Sequence, residues 1–406
     1  MNDTLNGKLR KLIATAYEHT PAMRERMSAA GVSPADIQTT QDLPLLPVLQ
    51  KDELTQLQQT RPPFGGMLAA KIEDLPRIYV SPGPILDPQP AWEGEEREAS
   101  LAPFRYVGFQ RGDRVLNTFA YHITPAGLLF DEALRACGAT VLPTGPGNSD
   151  VQIMLATQLS ASGFIGQPSY LMTLLDKMSQ QGIAAADSPF RKALFSAEPY
   201  TPTQRSRFED EYGMKTTSAY GTADLGLFAY TAQGVRGFCV SESVFIEIVD
   251  PSDGQTLAAE EVGEIVVTTF NPAYPLIRFG TGDLGALAAA PDPGNPGSQQ
   301  ITGLFGRSGD AVKVRGMFLH PNQLQAVQRQ FPQIEKLRAT VTRPGHTDVL
   351  VIEVELQPKA EKEGIAEGIV QFAMLAARLR VDRVEIVPGG TIPEGGKTIV
   401  DERAWE

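Results

Sequence analysis

From about residue 97 the chain alternates apolar runs of strand length with longer amphipathic runs, and this alternation restricts the fold more than any other feature of the sequence. RVLNTFAY (114–121), ATVLPTG (139–145) and GFIGQP (163–168) are short, apolar and bounded by Gly or Pro. PAGLLFDEALRACG (125–138) and YLMTLLDKM (170–178) lie between and after them, with leucines at helical spacing. Strands that are apolar at both parities must be covered on both faces, and strand–helix–strand repeats supply that cover by laying helices on a parallel sheet. The pattern therefore predicts an α/β fold with a parallel sheet.

The character changes near residue 236. VFIEIVDPSDGQTL (244–257) followed by GEIVVTTF (263–270) reads as antiparallel strands joined by a turn at Asp253 and Gly254. Upstream, residues 5–60 read mostly as helix, with proline breaks in DLPLLPVLQKDEL (42–54), and RIYV (77–80) reads as a short strand before the Pro- and Gly-rich SPGPILDPQP (81–90). An Ala-, Pro- and Gly-rich stretch (286–299) precedes GRSGD, which reads as a hinge. Beyond it VLVIEVEL, KEGIAEGIVQFAMLAARLR and RVEIVP form a strand–helix–strand unit of a small α+β domain. The expected layout is a large N-terminal domain, residues 1–306, and a small mobile C-terminal domain, residues 307–406, with the hinge near Arg307–Asp310.

Composition removes several function classes. The 406 residues carry 36 Lys+Arg against 48 Asp+Glu, a net charge of −12, which disfavours a broad nucleic-acid or anionic-membrane surface. Cys137 and Cys239 have no partner at metal spacing and make no disulfide framework. No segment approaches the roughly 18 apolar residues of a membrane span, and no signal-peptide pattern opens the chain, so the cytoplasm is the expected compartment. His19, His122, His320 and His346 lie far apart in sequence, without an HExxH arrangement. A G-x-S-x-G nucleophile elbow is absent. GGKT (395–398) superficially suggests the end of a phosphate-binding Walker loop, but Thr391 stands where that loop needs Gly and no helix follows.

Four segments in order make a different kind of sense: YGTAD (220–224), YPLIRFGTGDLG (274–285), GRSGDAVKVRG (306–316) and IPEGGKT (392–398). Together they resemble the acyl-adenylate-forming superfamily, in particular its phenylacetate-CoA ligase branch. DLPLLPVLQKDEL, the stretch from ACGATVLPTGPGN to GQPSYLMTLL, and LFSAEPYTPTQRSRFEDEYGMK extend the resemblance from about residue 40 to the end. It implies a large adenylate-forming domain, with parallel sheets, helices and a small antiparallel β subdomain, followed by a mobile α+β domain. It also implies ATP-dependent activation of a small, aromatic carboxylic acid to an acyl-adenylate and transfer to the CoA thiol, with Mg²⁺ as cofactor and AMP as product. Such chemistry brings a carboxylate to a phosphate against mutual repulsion, so it relies on positioned cations and donors rather than covalent help.

By the resemblance, Lys397 is the catalytic lysine bridging acid and α-phosphate, and Asp283 accepts the ribose hydroxyls. Arg307 also reaches the nucleotide from the domain junction. Tyr220, with Gly221 and Thr222, flanks adenine, and Ser196, Ala197, Glu198 and Pro199 line that pocket's edge. Ser81 and Gly83 remain of the phosphate loop, Asp224 stands in the magnesium position, Tyr121 and His122 fall in the region shaping the acid pocket, and Gly316 falls on the CoA side. For Tyr220, Tyr121 and His122 core packing is the competing expectation. Arg278 is expected to pair with Asp283, with a phosphate, or in a structural ion pair.

The chain departs from the family's pattern where phosphate is handled. Pro84, Ile85, Leu86 and Asp87 replace hydroxyl, glycine and lysine positions of the loop, Ala223 replaces a hydroxyl residue, Gly309 replaces the hinge aspartate and Gly280 replaces an arginine. Prolines remove backbone donors and Asp87 adds negative charge beside a triphosphate. Two alternatives therefore stand beside the CoA ligase: an adenylating enzyme with a carrier-protein, amine or alcohol acceptor, and a degenerate non-catalytic homologue that binds nucleotide or acyl-adenylate. The resemblance also allows a homodimer.

Overall fold

The apolar runs expected to be buried strands form one half of an eleven-stranded sheet. The computed structural model describes residues 2–403 except 82, 91–93, 252, 296, 298, 308–311, 316, 320, 359, 361 and 378–379. The expected hinge residues Ser308, Gly309 and Asp310, and the CoA-side Gly316, lie outside the described residues. The helices are α1 (Asn2–His19), α2 (Pro21–Ala29), α3 (Lys51–Thr60), α4 (Gly94–Ser100), α5 (Ala102–Val107), α6 (Ala126–Ala136), α7 (Ser149–Gln158), α8 (Pro168–Gln180), α9 (Pro202–Ser206), α10 (Pro321–Gln330) and α11 (Ile365–Ala377). A hairpin, β1 (Arg77–Ser81) and β2 (Ile85–Gln89), stands apart as its own two-stranded sheet.

The strands of the large sheet are β3 (Arg114–Asn117), β4 (Thr140–Pro143), β5 (Gly163–Gly166), β6 (Lys192–Phe195), β7 (Lys215–Thr222), β8 (Gly226–Tyr230), β9 (Phe238–Val240), β10 (Val244–Val249), β11 (Gly263–Thr269), β12 (Phe279–Leu287) and β13 (Gln300–Arg307). Their order is β10-β11-β12-β13-β9-β8-β7-β6-β5-β3-β4. Strands β3 to β7 pair in parallel, and from β7 onward every pairing is antiparallel. The antiparallel segment is thus continuous with the parallel one through β7.

Successive residues of the parallel strands serve different cores, as the strand period of two requires. Leu116, Phe164 and Phe195 pack with Leu171, Leu174 and Leu175 of α8 on one face. Val115, Ile165 and Leu194 pack with Phe104 of α5 and Phe130 of α6 on the other. This two-sided cover explains why these strands carry no polar alternation.

Contacts divide the chain into two compact units: Met1–Tyr200 with Gln204–Ser308, and Thr201–Thr203 with Gly309–Glu406. The second contains a hairpin, β14 (Val312–Val314) with β15 (Met317–Leu319). It also contains a four-stranded sheet of order β18-β17-β16-β19, built from β16 (Ile334–Thr342), β17 (Val349–Leu356), β18 (Arg383–Val387) and β19 (Ile399–Asp401). Its core joins Ala339, Val341, Ile352 and Val354 to Leu324 and Ile369 of the helices.

Arg278 resolves one of the expectations above. It is 1% exposed, its Nε lies 3.0 Å from Glu247 Oε2, and it also donates to the carbonyls of Leu46 and Gly254. It is a structural ion pair of β10 and does not reach Asp283. Burial raises the Glu247 carboxyl's pKa while the arginine opposes that shift. Removing one partner of such a pair leaves a buried uncompensated charge. Arg278→Met should therefore cost about 3–5 kcal/mol in urea unfolding, and Arg278→Met with Glu247→Leu should recover much of it.

Candidate nucleotide and phosphate site

The segment preceding α3 lies against β12: the Leu49 amide donates to the Arg278 carbonyl at 2.7 Å, and the Gly280 amide donates to the Leu49 carbonyl at 3.0 Å. This short pairing carries Gln50 and Lys51 to the large sheet. Gln50 donates to Glu264 at 3.2 Å, and Glu264 accepts the Gly282 amide at 3.0 Å. A Cβ on Gly280 would sit 2.7 Å from both Gln50 Oε1 and Glu264 Oε1. Gly280 thus faces the tips of the Gln50 and Glu264 side chains, and a larger residue there would have to displace them.

Asp283 sits in β12 directly opposite Arg307 of β13. Arg307 Nε is 3.6 Å from Asp283 Oδ1, and Nη2 is 3.4 Å from the Thr281 carbonyl. Tyr220 donates its hydroxyl to Asp283 Oδ2 at 2.9 Å, while the Asp283 amide donates to Thr281 Oγ1 at 3.1 Å. Tyr220 is 8% exposed, with its ring edge-on to Phe228 at 4.9 Å. Burial, reinforced by the Asp283 charge, raises the phenol's pKa and keeps it a donor. Three of the residues singled out in the sequence therefore form one bonded group. Tyr220 also belongs to the core, as the competing expectation for it had it.

Gly221 follows because no side chain fits: a Cβ there would lie 2.1 Å from the Gly226 carbonyl oxygen. Thr222 Oγ1 accepts the Leu225 amide at 3.3 Å, which closes the turn that carries Asp224. Ser196 hangs from the end of β6, its amide donating to the Gly166 carbonyl, and Ala197 takes a left-handed φ of 78°. Glu198 accepts the Ser169 amide at 2.6 Å and the Ser169 hydroxyl at 2.9 Å. A carboxylate on the first turn of α8 satisfies orphan donors and favours the helix dipole, so Glu198 has a capping role that its motif position does not reveal.

SPGPILDPQP, expected as a loop, is mostly strand. Gln58 of α3 clamps β2 by donating to the Leu86 carbonyl and accepting the Leu86 amide, both at 2.8 Å. Pro88 is tolerated because the sheet has only two strands and its missing N–H can face outward. The period of two turns Tyr79, Ser81, Ile85 and Asp87 inward together. Ser81 donates to Asp224 Oδ1 at 3.2 Å, and Lys51 pairs with Asp224 Oδ2 at 2.9 Å. Lys51 was not singled out in the sequence. It lies within DLPLLPVLQKDEL, which carries family likeness but no phosphate signal, and only the fold brings it to residue 224.

Asp87 is 6% exposed, and among the described residues neither carboxylate oxygen finds a partner at hydrogen-bonding geometry. Desolvation, then the neighbouring Asp224 charge, push its pKa well above the usual carboxylate range, against weaker opposition from Ser81 and Lys51. Protonation removes the negative charge that its sequence position would place beside phosphate. Gly83 lies exposed at the hairpin turn.

Tyr121 is held by Asn117, which donates to its hydroxyl at 2.8 Å, and donates in turn to Asp131 at 3.0 Å. Burial and Asp131 raise its pKa. His122 is exposed, and the Ile123 carbonyl accepts the Val80 amide at 2.9 Å, so this turn adjoins the strand that ends at Ser81. In the second unit Lys397 is exposed in the loop between β18 and β19.

Across known proteins, no family model matches the chain. Phenylacetate-coenzyme A ligase of Aromatoleum evansii is 28% identical, with 98% of this chain and 94% of the relative covered. The enzyme of that name from Thermus thermophilus is 27% identical over 96% and 93%. A 2-hydroxyisobutyryl-CoA ligase, crystallised with 2-hydroxyisobutyryl-AMP and CoA, superimposes with a TM-score of 0.86 at 21% identity, covering 99% of this chain and 90% of that one.

Because Asp87 binds a proton in the fold that the unfolded chain releases near pH 4, its stabilising contribution is complete below that pH. It is lost as pH rises through the raised folded value. Asp87→Asn should leave the melting temperature at pH 3.5 almost unchanged and stabilise the protein at pH 8 by on the order of 2 kcal/mol. Equal effects at both pH values in thermal melts would contradict the neutral carboxyl.

Proposed function

We propose that the chain belongs to the acyl-adenylate-forming superfamily, in its phenylacetate-CoA ligase-like branch, and that it activates a small aromatic carboxylic acid with ATP and transfers the acyl group from the adenylate to CoA. The observation that carries this reading is the bonded group Tyr220–Asp283–Arg307, a fixed carboxylate beside a fixed guanidinium. The full-length relatives are named phenylacetate-coenzyme A ligases, and the 2-hydroxyisobutyryl-CoA ligase of like fold was crystallised with an acyl-AMP and CoA, which supports this reading. The aromatic acid rests on the name of the curated relatives alone.

In this reading Asp283 accepts the two ribose hydroxyls with oxygens oriented by Tyr220 and Arg307. Tyr220, Gly221 and Thr222, with Ser196 to Pro199, border adenine, and Arg307 offers a cation to the nucleotide. Lys51 and Ser81 stand at the hairpin end where phosphate oxygens would be received. The acid's carboxylate attacks the α-phosphorus, the bond to the bridging oxygen breaks, and pyrophosphate departs with the electron pair. Lys397 supplies a positive charge between the two repelling anions, and that charge lowers the barrier most where negative charge develops.

Among the described residues no group of three or more His, Cys, Asp or Glu could hold a metal alone. The hard oxygens of Asp224 and Ser81 nevertheless suit magnesium, whose remaining ligands come from phosphate and water in such sites. When bound with ATP, magnesium would neutralise triphosphate charge. Lys51, now paired with Asp224, would then turn towards phosphate.

Lys397→Ala should reduce acid-dependent exchange of pyrophosphate into ATP by about 100-fold or more while AMP affinity changes by less than about 3-fold. Asp283→Ala should show the reverse emphasis, weakening AMP about 10- to 100-fold in calorimetry. Undiminished exchange in the lysine variant would remove the proposed chemistry from Lys397. A screen of phenylacetate, other aryl acids and short acyl acids, with and without CoA, identifies the acid and the acceptor.

A further inference from the structure

The loop between β18 and β19 is built around a residue that neither the sequence motifs nor the proposed chemistry use. Glu355, near the end of β17, is 1% exposed. Its Oε1 accepts the backbone N–H of Ile392 at 2.5 Å. The cross-strand neighbour of Glu355 is Lys336 of β16, whose Nζ donates to the Ile392 carbonyl at 3.4 Å. The carboxylate and the ammonium thus grip both polar groups of one residue, while the Ile392 side chain is itself buried. The backbone donors, Ile392 foremost, hold the Glu355 carboxyl below its ordinary pKa, so it is ionised at neutral pH.

A second clamp closes the other end. The Ala339 amide donates to the Thr398 carbonyl at 2.9 Å, and Ile399–Asp401 then pair in parallel with Ala339–Val341. Between the clamps lie only Pro393, Glu394, Gly395, Gly396 and Lys397, with Gly395 at a left-handed φ of 69°. Without the Glu355 clamp the loop would be anchored only from the Pro388–Thr391 turn, in which the Pro388 carbonyl accepts the Thr391 amide and hydroxyl and which includes two further glycines, Gly389 and Gly390. Glycine-rich backbone has much freedom to lose, and a lysine acting by position loses effectiveness with small displacements.

We infer that Glu355 is a positioning residue for Lys397: with Lys336 it fixes Ile392 and so sets the reach of the lysine loop. This rests on the reading of Lys397 as the adenylating lysine. It assigns Glu355 to the first half-reaction only, since displacement of AMP by the CoA thiol does not use Lys397 in that reading. Glu355→Leu removes the acceptor, whereas Glu355→Gln keeps an oxygen there without the charge.

The test uses the full-length chain with phenylacetate as probe acid, and with phenylacetyl-adenylate plus CoA for the second half-reaction. Adenylation should fall about 10- to 100-fold in Glu355→Leu and less in Glu355→Gln, in kcat rather than in the KM for ATP. The thioester-forming step should stay within about 3-fold, which also shows that the second unit is folded. In a Lys397→Ala background Glu355→Leu should cause no further loss, as expected of two residues acting through one group. Hydrogen exchange, which needs no substrate, should find the Ile392 amide protected in the wild type, and exchange across 393–398 accelerated in Glu355→Leu. Equal loss of both half-reactions, additive losses with Lys397→Ala, or an unprotected Ile392 amide would overturn the assignment. If Lys397→Ala itself leaves adenylation intact, the reading of the lysine fails, while protection of Ile392 still reports whether the clamp exists.

Discussion

Strand β7 has to satisfy two kinds of pairing along one backbone. Lys215–Ser218 pair in parallel with β6, and Ala219–Thr222 pair antiparallel with β8, with a register irregularity between Tyr220 and Gly221. Parallel strands need helices on both faces, whereas antiparallel strands can return directly. The change of pairing therefore ends the helical cover near Ser218 and opens the end of β7. Tyr220 and the turn leading to Asp224 lie there, so the position of these candidate site residues follows from a constraint on backbone hydrogen bonding. Gly221 is part of the same constraint, because the return strand leaves no space for a side chain.

Around this opening, charge is arranged in matched groups. Asp283 is held by a phenol and a guanidinium, Asp224 by an ammonium and a hydroxyl, and Glu247 by Arg278. The first group is partly accessible, and in the second Lys51 is while Asp224 and Ser81 are buried. The third is sealed and fixes β10 against the segment before α3. Burial thus separates the arginine that builds the scaffold, Arg278, from the partly accessible Arg307.

The hairpin of β1 and β2 meets the same requirement in an unusual way. Asp87 brings a carboxylate into a segment where the resemblance expects none, yet burial and the proximity of Asp224 keep that carboxyl neutral. The positive charge at this end comes instead from Lys51, brought in by the short pairing of Leu49 with β12.

The alternation of apolar runs determined the parallel sheet and its helices, because two-sided burial leaves a pattern in each strand separately. Motif likeness also singled out Tyr220, Asp283 and Arg307, which the strands that bear them bring into one bonded group. Other features depended on pairings between distant segments, which no local pattern encodes. These include the continuity of the two kinds of sheet through β7, the partner of Arg278, the capping role of Glu198 and the arrival of Lys51 beside Asp224. Whether Asp87 carries charge was decided by burial and by a neighbour 137 positions away, so that sequence alone supplied its identity and the tertiary structure its protonation. Glu355 is the plainest instance: in the sequence it is one acid in an alternating strand, and only the folded sheet turns it towards the Ile392 amide.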